Sequence, residues 1–194
     1  MNSVNVKSIL LAGVGGQGVL RASDIICQAL LEAGFDTKKS EVHGMAQRGG
    51  CVTSHVRYGQ KVYSPLARKG DVQILLSFEK VETLRYLDFL NPKGIIIMNE
   101  EEVYPPAVNL GIMEYPKDIL QQLKGSFKDV IVVNAPVLAL KAGNLKAVNT
   151  VMLGVVSRFL DVSESIWENV LSKSFPEKLI KINVEAFRLG KEAS

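Results

Sequence analysis

An apolar run that ends in a glycine-rich turn constrains the start of this chain. Residues 9–12 are apolar and predict a buried strand, and the pattern Gly13-x-Gly15-x-x-Gly18 follows at once. Apolar residues then recur at helical spacing, so the segment predicts strand, turn and helix. Glycine suits so tight a turn because a Cβ forbids part of the backbone geometry, and the bare backbone exposes N–H groups where the helix dipole favours an anion. The same pattern also fits glycines that only let the helix and the strand pack closely.

The next segment argues against a nicotinamide dinucleotide site. In a dinucleotide-binding unit the second strand is a buried apolar run that ends in an acid, which holds the ribose hydroxyls. Residues 36–41 are instead polar on both faces. Glu41 does stand about 20 residues after the glycines, which is the usual distance for that acid. We therefore keep a stand-alone nucleotide-binding oxidoreductase or sensor only as an alternative.

A second glycine-rich stretch, residues 43–50, reads His-Gly-Met-Ala-Gln-Arg-Gly-Gly. So many glycines fit neither a regular helix nor a regular strand. Loops that combine glycine with side-chain donors are often binding loops, and the alternative is a solvated surface loop. His43 is a better functional candidate than His55, because it opens the loop. Arg48 can hold a carboxylate or a phosphate with two parallel hydrogen bonds, or pair with an acid such as Glu41.

Strand and helix patterns alternate along the rest of the chain. We expect strands at residues 51–58, 61–63, 71–77, 95–99, 112–115 and 130–134. We expect helices at residues 18–33, 79–90, 116–123, 135–142, 146–160, 163–171 and 176–190. The first two of these strands, joined by Gly59-Gln60, predict a β-hairpin. The fold class is therefore α/β: one three-layer α/β/α, Rossmann-like domain over residues 1–194, with a mixed, mainly parallel sheet and an added β-hairpin.

Charge and hydropathy argue against two classes of partner. The net charge is +3, and no long basic block or basic–aromatic stripe is present, so we expect no nucleic-acid binding. No apolar stretch is long enough to span a membrane, and residues 1–7 are polar. We therefore expect a cytoplasmic protein with no membrane partner.

The sequence lacks the motifs of a self-sufficient active site. Its cysteines, Cys27 and Cys51, stand in no C-x-x-C pair and have no histidine at metal-ligand spacing, so we expect free thiols and no metal site. A [4Fe–4S] cluster usually takes four cysteines. No G-x-S-x-G, H-E-x-x-H or G-x-x-x-x-G-K-[ST] pattern occurs. No catalytic residue is therefore assigned, and any electron transfer would pass through another chain.

Three segments together resemble one known family. They are residues 13–19, residues 40–50, and residues 54–57 with 62–66. In these segments the chain is similar to the gamma-type component of the 2-oxoacid:ferredoxin oxidoreductases, and its length and middle segment most resemble the beta subunit of the indolepyruvate enzymes. The middle segment is far more specific than the glycine turn. Cys51 departs from the family pattern, where a small residue such as serine is expected.

The resemblance implies a division of tasks between subunits. Members of the family oxidatively decarboxylate a 2-oxoacid to an acyl-CoA and pass the electrons to ferredoxin. Thiamine diphosphate with Mg²⁺ and [4Fe–4S] clusters carry out that chemistry, and the resemblance places them on a larger partner subunit. This chain would carry none of these cofactors, would meet coenzyme A only as a co-substrate of the complex, and would be inactive alone. In isolation it could form a homodimer through the apolar surface meant for its partner.

The resemblance also assigns a role to the two glycine-rich segments. They would face the partner subunit near the thiamine site or the entry of coenzyme A. The turn would offer backbone donors, Gln47 and Arg48 would offer side-chain donors, and Glu41 would order the second loop. A purely structural assembly subunit, whose loops never meet substrate, is the remaining alternative. The candidate residues are Gly13, Gly15, Gly16, Gln17, Gly18, Glu41, His43, Gly44, Met45, Gln47, Arg48, Gly49 and Gly50.

Overall fold

A six-stranded mixed sheet lies at the centre of the computed structural model, which describes residues 6–44 and 50–193. The strands are β1 (Lys7–Val14), β2 (Asp36–His43), β3 (Cys51–Gly59), β4 (Val72–Ser77), β5 (Leu90–Asn99) and β6 (Val130–Val133). Their order across the sheet is β2-β3-β1-β4-β5-β6. The strands β1, β4, β5 and β6 run parallel, whereas β3 pairs antiparallel with both β1 and β2. The expected mixed, mainly parallel sheet is therefore confirmed.

Helices cover both faces of this sheet. They are α1 (Val19–Glu32), α2 (Lys80–Arg85), α3 (Pro106–Asn109), α4 (Ile119–Ser126), α5 (Ala135–Lys141), α6 (Val148–Ser157), α7 (Glu164–Ser174) and α8 (Glu177–Glu192). One face carries α1 with α5 to α8, and the other carries α2 and α4. Successive side chains of β1 point to opposite faces of the sheet, so Leu11 packs in the core on the α1 side and Leu10 in the core on the α2 side. Within the described residues, none of these helices has both the length and the apolar character needed to cross a bilayer.

The hairpin forms between strands other than those expected. Strand β3 pairs with β2 along its length, and residues 61–63 form no strand, so the predicted return strand there is wrong. The carboxylate of Asp36 accepts a hydrogen bond from the Val62 N–H at 2.8 Å, and the Val62 side chain is buried. A loop that this hydrogen bond holds in place, with one buried side chain, thus has the alternating apolar and polar residues that suggested a strand. The polar composition of β2 follows from its place at the edge of the sheet.

The region between β4 and β5 also differs from the prediction. The helix expected at residues 79–90 ends at Arg85, and a short 3-10 turn at Leu87–Phe89 follows it. Residues 91–94, expected to separate a helix from a strand, belong to β5 and lie where its register with β4 shifts. Proline is tolerated in a sheet at such an irregularity, which explains Pro92.

Two further predictions fail between β5 and β6. Residues 112–115 form no strand, and α4 starts at Ile119 rather than in the turn after Pro116. Asp118 has a φ of 59°, a left-handed conformation that interrupts a right-handed helix. The helix can therefore begin only after this residue. The other predicted strands and helices lie within about three residues of their expected ends, which is the usual uncertainty of such boundaries.

Helices α6 and α8 cross with their backbones in direct contact. A Cβ on Gly154 would lie 2.0 Å from the carbonyl oxygen of Phe187, and a Cβ on Gly190 would lie 2.0 Å from that of Val151. Real Cβ atoms do not approach this closely, so the crossing requires glycine on both helices. Trp167 of α7 is buried beside the same crossing, with its ring 5.3 Å from that of Phe187, as expected for a core residue.

His55 is a structural residue of β3, as expected. Its ring is buried, and its Nδ1 atom accepts a hydrogen bond from the Ala67 N–H at 3.3 Å. The ring meets that of Phe89 edge-on, with centroids 5.5 Å apart. Burial lowers the pKa of His55 below its ordinary value, because the charged imidazolium loses its hydration.

We expect Gly154→Ala to lower the free energy of unfolding by about 1–3 kcal/mol, because the new methyl group forces α6 and α8 apart. Gly125→Ala in α4 is the matched control. A Cβ there meets nothing within 4 Å, so the change should stabilise the protein by about 0.5–1 kcal/mol. Urea unfolding of both variants measures the difference. Equal effects of the two substitutions would contradict the close crossing.

We expect the protein to lose stability as the pH falls from 7 toward 5.5, in part through His55. The unfolded imidazole takes up a proton below about pH 6.5, whereas the folded one resists it, so the unfolding equilibrium is pulled toward the unfolded state. His55→Asn keeps an acceptor for the Ala67 N–H but cannot titrate, and should flatten the dependence. Urea unfolding at a series of pH values measures it, and an unchanged slope would exclude His55 as its source.

Candidate functional site

The β1–α1 turn lies at the edge of the sheet where the parallel strands end. Gly16 and Gly18 have φ values of 100° and 81°, a conformation that strongly favours glycine. Gly13 is needed for a different reason, since a Cβ there would come within 2.9 Å of the Phe78 side chain. The turn is closed by the Gln17 N–H, which donates to the carbonyl oxygen of Val14 at 3.1 Å. Backbone geometry therefore explains Gly16 and Gly18, and close packing explains Gly13.

The start of α1 offers N–H groups that its own helix does not use. The first helical hydrogen bond runs from the Ala22 N–H to the carbonyl oxygen of Gly18 at 2.9 Å. The N–H groups of Val19, Leu20 and Arg21 precede that bond, and Gly18 has no side chain to cap them. In the described part of the chain nothing else accepts from them. Together with the helix dipole they make this end of α1 favourable for an anion.

The described ends of the second glycine-rich segment lie close to β1 and β3. The Gly15 N–H donates to the carbonyl oxygen of Gly50 at 3.0 Å, and the Gly44 N–H donates to that of Cys51 at 2.8 Å. Because Val14 pairs with Cys51, the start of the first segment and Gly50, the last residue of the second, lie at the same end of the sheet. His43 closes β2.

Four candidate residues lie outside the described residues: Met45, Gln47, Arg48 and Gly49. The same holds for the side chain of His43. The roles expected of these groups stay predictions.

The side chain of Gln17 connects the turn by hydrogen bonds to the residue that follows β4. Its Oε1 atom accepts from the Val14 N–H at 2.8 Å, and its Nε2 atom donates to the carbonyl oxygen of Phe78 at 3.1 Å. The buried Asn99 donates to the same carbonyl at 3.2 Å, and its Oδ1 atom accepts from the Ala135 N–H at 3.2 Å. These two amides therefore connect the ends of β1, β4 and β5 and the start of α5. The sequence analysis did not identify Asn99 as a site residue. The one feature that could have indicated it is that this polar residue ends an apolar strand.

Glu79, which the sequence analysis also did not identify, holds the segment after β5 in place through hydrogen bonds. Its side chain is only 1% exposed and accepts three hydrogen bonds. They come from the Glu82 N–H at 2.9 Å, the Val103 N–H at 3.2 Å and the Tyr115 hydroxyl at 2.5 Å. Burial, and then the Glu79 carboxylate, raise the pKa of Tyr115. The tyrosine is therefore a fixed donor in this clamp.

A cleft of about 360 Å³ lies between the start of β3 and α2, lined by Cys51, Glu82 and Arg85 among others. The Arg85 Nε atom donates to one oxygen of Glu82 at 3.1 Å, while the other oxygen is buried and has no hydrogen-bond partner among the described residues. Burial raises the pKa of Glu82. This cleft has a mixed polar and apolar lining, next to the point where the second glycine segment ends.

Glu41 lies away from the position that a ribose-binding acid would occupy. It stands on the edge strand β2, and β3 separates that strand from β1. Its carboxylate pairs with Lys39, which also pairs with Asp24 of α1. Cys27 borders this charged group, and burial raises its pKa to about 12, so its thiol stays protonated at neutral pH. The effect expected of Glu41 on the second loop stays a prediction.

Two open clefts flank the glycine turn. One, of about 380 Å³, extends over the turn and the first residues of α1 toward Val52. The other, of about 520 Å³, lies between the turn and the segment before α6, and Gly16, Gln17, Glu101 and Lys146 contribute to its lining. Among the described residues, no group of three or more His, Cys, Asp or Glu side chains is placed to hold a metal ion. The described residues at this end of the sheet thus offer backbone N–H groups and the ammonium group of Lys146 as donors.

Comparison with known proteins matches this architecture to one family. The sequence model of the pyruvate ferredoxin/flavodoxin oxidoreductase family matches residues 8–193. The indolepyruvate oxidoreductase subunit IorB of Thermococcus kodakarensis is 36% identical over 195 residues, which cover 96% of this chain and 95% of that subunit.

Solved structures show the same fold. The keto/oxoacid ferredoxin oxidoreductase gamma subunit of Geobacter sulfurreducens superimposes with a TM-score of 0.72 at 23% identity, covering 96% of this chain and 97% of that one. The 2-oxoglutarate:ferredoxin oxidoreductase of Magnetococcus marinus, solved with 2-oxoglutarate, coenzyme A and succinyl-CoA, gives a TM-score of 0.73 at 22% identity. That match covers 96% of this chain and 30% of the other, so this chain corresponds to about a third of that enzyme's polypeptide. The family expected from the three sequence segments is confirmed, and the chain belongs to the pyruvate ferredoxin/flavodoxin oxidoreductase family as a subunit of a 2-oxoacid:ferredoxin oxidoreductase.

Proposed function

We propose that this chain is the small subunit of an oxidoreductase that acts on an aryl pyruvate such as indolepyruvate. The enzyme would decarboxylate the 2-oxoacid, transfer the acyl group to coenzyme A and pass the electrons to ferredoxin. The observation that carries the substrate class is the 36% identity, over nearly the whole length of both chains, to a subunit named for indolepyruvate. The small subunit itself would be inactive without its partner.

The cofactors of the reaction would belong to a larger subunit. Thiamine diphosphate with Mg²⁺ would supply the carbanion chemistry, and [4Fe–4S] clusters would carry the electrons. The residues of this chain do not fit a cluster, because a cluster usually takes four cysteines and the sequence has only Cys27 and Cys51, on α1 and β3. We therefore assign no step of electron transfer to this chain.

The contribution of this chain would be the edge that carries both glycine-rich segments. A hydrogen bond joins Gly15 to Gly50, the last residue of the second segment, and the start of α1 offers N–H donors at the same end of the sheet. Coenzyme A is rich in phosphate, so a donor-bearing edge next to the partner subunit suits its entry. In this role the chain binds and orients a co-substrate and excludes water, while the reacting groups lie on the partner.

The geometry does not favour the alternative of a stand-alone nicotinamide-dependent protein. In a dinucleotide fold the ligand crosses the sheet edge at the switch point between strands, and an acid from the strand beside β1 holds the ribose. Here β3 lies beside β1, and Gln17 and Asn99 span the strand ends with their amides. Tight binding of NADH by this chain alone would nevertheless favour that alternative.

We expect the chain, co-expressed anaerobically with its large subunit, to support dye reduction with indolepyruvate and phenylpyruvate at a kcat/KM at least about tenfold above that with pyruvate. The ring of an aryl pyruvate buries more apolar surface than a methyl group, which accounts for the preference. The chain alone is the control and should show no turnover. A preference for pyruvate would contradict the substrate class, and turnover by the isolated chain would contradict the role of the partner.

We expect Gln17→Ala to lower the turnover of the assembled complex about tenfold or more, because the turn loses its brace to Phe78 and its donors move. Gln121→Ala, on the exposed surface of α4, is the matched control and should leave turnover unchanged. Gel filtration of both complexes checks that assembly is intact. If the Gln17 variant assembles and turns over normally, the subunit has the purely structural role instead.

A further inference from the structure

A short segment after β5 exposes several large apolar side chains. Leu110, Ile112 and Met113 are 63–74% exposed, and Tyr104 is half exposed. Single exposed apolar residues are common on protein surfaces, but four within ten residues of sequence indicate a patch, and tyrosine and methionine are enriched where proteins meet. We define residues 104–113 as the apolar segment.

Hydrogen bonds hold the apolar segment in one conformation. The N–H groups of Ile112 and Met113 both donate to the carbonyl oxygen of Ala107, at 2.9 and 3.2 Å, so the chain folds back on itself. Just before the segment, the Val103 N–H donates to the buried carboxylate of Glu79 at 3.2 Å. A surface that is ordered in advance loses less conformational entropy when another molecule covers it.

The cleft of about 360 Å³ beside α2 adjoins this segment, since Tyr104 and Asn109 contribute to its lining. Glu82 lines the same cleft and is only 5% exposed. One of its carboxylate oxygens accepts from Arg85, whereas the other is buried without a hydrogen-bond partner among the described residues. Rotation of the carboxylate exchanges the two oxygens, so either can accept from a donor that enters the cleft. Because an unpaired buried oxygen is costly, the cleft favours such a donor.

The charges around the apolar segment indicate the sign of the surface that would cover it. A second cleft, of about 650 Å³, extends from Tyr104 toward α4. Among the described residues, the two clefts are lined by six acids and three bases: Glu79, Glu82, Glu100, Glu102, Glu114 and Asp118 against Lys80, Arg85 and Lys117. The whole chain has a net charge of +3, so this excess of acids is local. A complementary surface is therefore basic.

We propose that the apolar segment and the cleft beside α2 form a docking surface for a basic segment of the large subunit, which covers the apolar side chains and donates a hydrogen bond from a cationic side chain to Glu82. The choice of the large subunit as the occupant rests on the proposed function. A second copy of this chain fits less well, because a symmetric contact would place the same excess of acids against itself.

The substitution Glu82→Gln tests the donated hydrogen bond. Its amide oxygen can still accept from Arg85, but the negative charge is lost. At pH 8, where the carboxyl of the wild type is ionised, we expect the Kd for the large subunit to rise about tenfold and to depend less steeply on salt. Glu185→Gln on α8 is the matched control, because Glu185 also pairs with an arginine three residues later, and this variant should leave the Kd unchanged.

The substitution Ile112→Lys tests the apolar contact. It removes an apolar side chain and places a positive charge against a basic partner, so we expect the Kd to rise about tenfold or more. The side chain is largely exposed in the isolated chain, so the melting temperature should stay the same. Leu31→Lys, at an exposed apolar position of α1, is the matched control and should leave the Kd unchanged.

Anaerobic calorimetric titration of the full chain and its variants into the purified large subunit measures the Kd values. Weaker binding of Glu82→Gln and Ile112→Lys, with both controls unaffected, supports the proposal. An effect of Ile112→Lys alone keeps the apolar contact but overturns the bond to Glu82.

Equal affinity of the wild type and both test variants overturns the docking surface, and turnover of indolepyruvate by the wild-type complex then shows that the proposed function still holds. If Ile112→Lys changes only the self-association of the isolated chain in gel filtration, the occupant is a second copy and the proposal is overturned. Failure of the wild-type chain to bind the large subunit overturns this proposal and the proposed function together.

Discussion

One backbone carbonyl, that of Phe78, joins the strand ends on which the candidate site is built. It accepts hydrogen bonds from the side-chain amides of Gln17 and Asn99, one from each neighbouring strand end. Side-chain amides have both a donor and an acceptor, so each can also satisfy a second backbone group, Val14 in one case and Ala135 in the other. Because these bonds are buried or partly buried, losing one partner would leave a polar group unsatisfied. The position of the glycine turn therefore depends on residues that never need to touch a ligand.

The strand β3 gives the edge its particular character. It lies between β1 and β2, so β2 with Glu41 is one strand further from β1 than the acid-bearing strand of a dinucleotide fold, and Gly50 comes to lie beside Gly15. The first turn resembles that of a nucleotide-binding domain, but the strand beside it is antiparallel, which that fold does not have at this position. This difference supports the proposal that the subunit completes a site on its partner, since function is set by the residues that a fold carries and not by the fold itself.

Much of the fold follows from the sequence, because long apolar runs and helical spacing report burial directly. The strands around Ile74, Ile96 and Ile131 and the long helices after residue 145 are of this kind. The prediction of a return strand at 61–63 was wrong. A loop held by the hydrogen bond to Asp36 buries Val62, and this one buried residue gives the apolar–polar alternation that is typical of a strand. In the candidate site the glycine turn could be predicted from the sequence, whereas Glu79 and Asn99 could not. Each is a single polar residue whose importance arises from partners far away in the chain, and no local period reports such partners.

The close crossing of α6 and α8 has a consequence for the synthesis of the protein. Asn149 of α6 lies against Gly18 of the β1–α1 turn, and α6 packs directly on α8, which follows every other helix that the structure describes. Contacts between distant parts of a chain form only after both parts have left the ribosome. The turn after the first strand therefore completes its packing only once α8 has been synthesised, so an early segment of the chain depends on a late one.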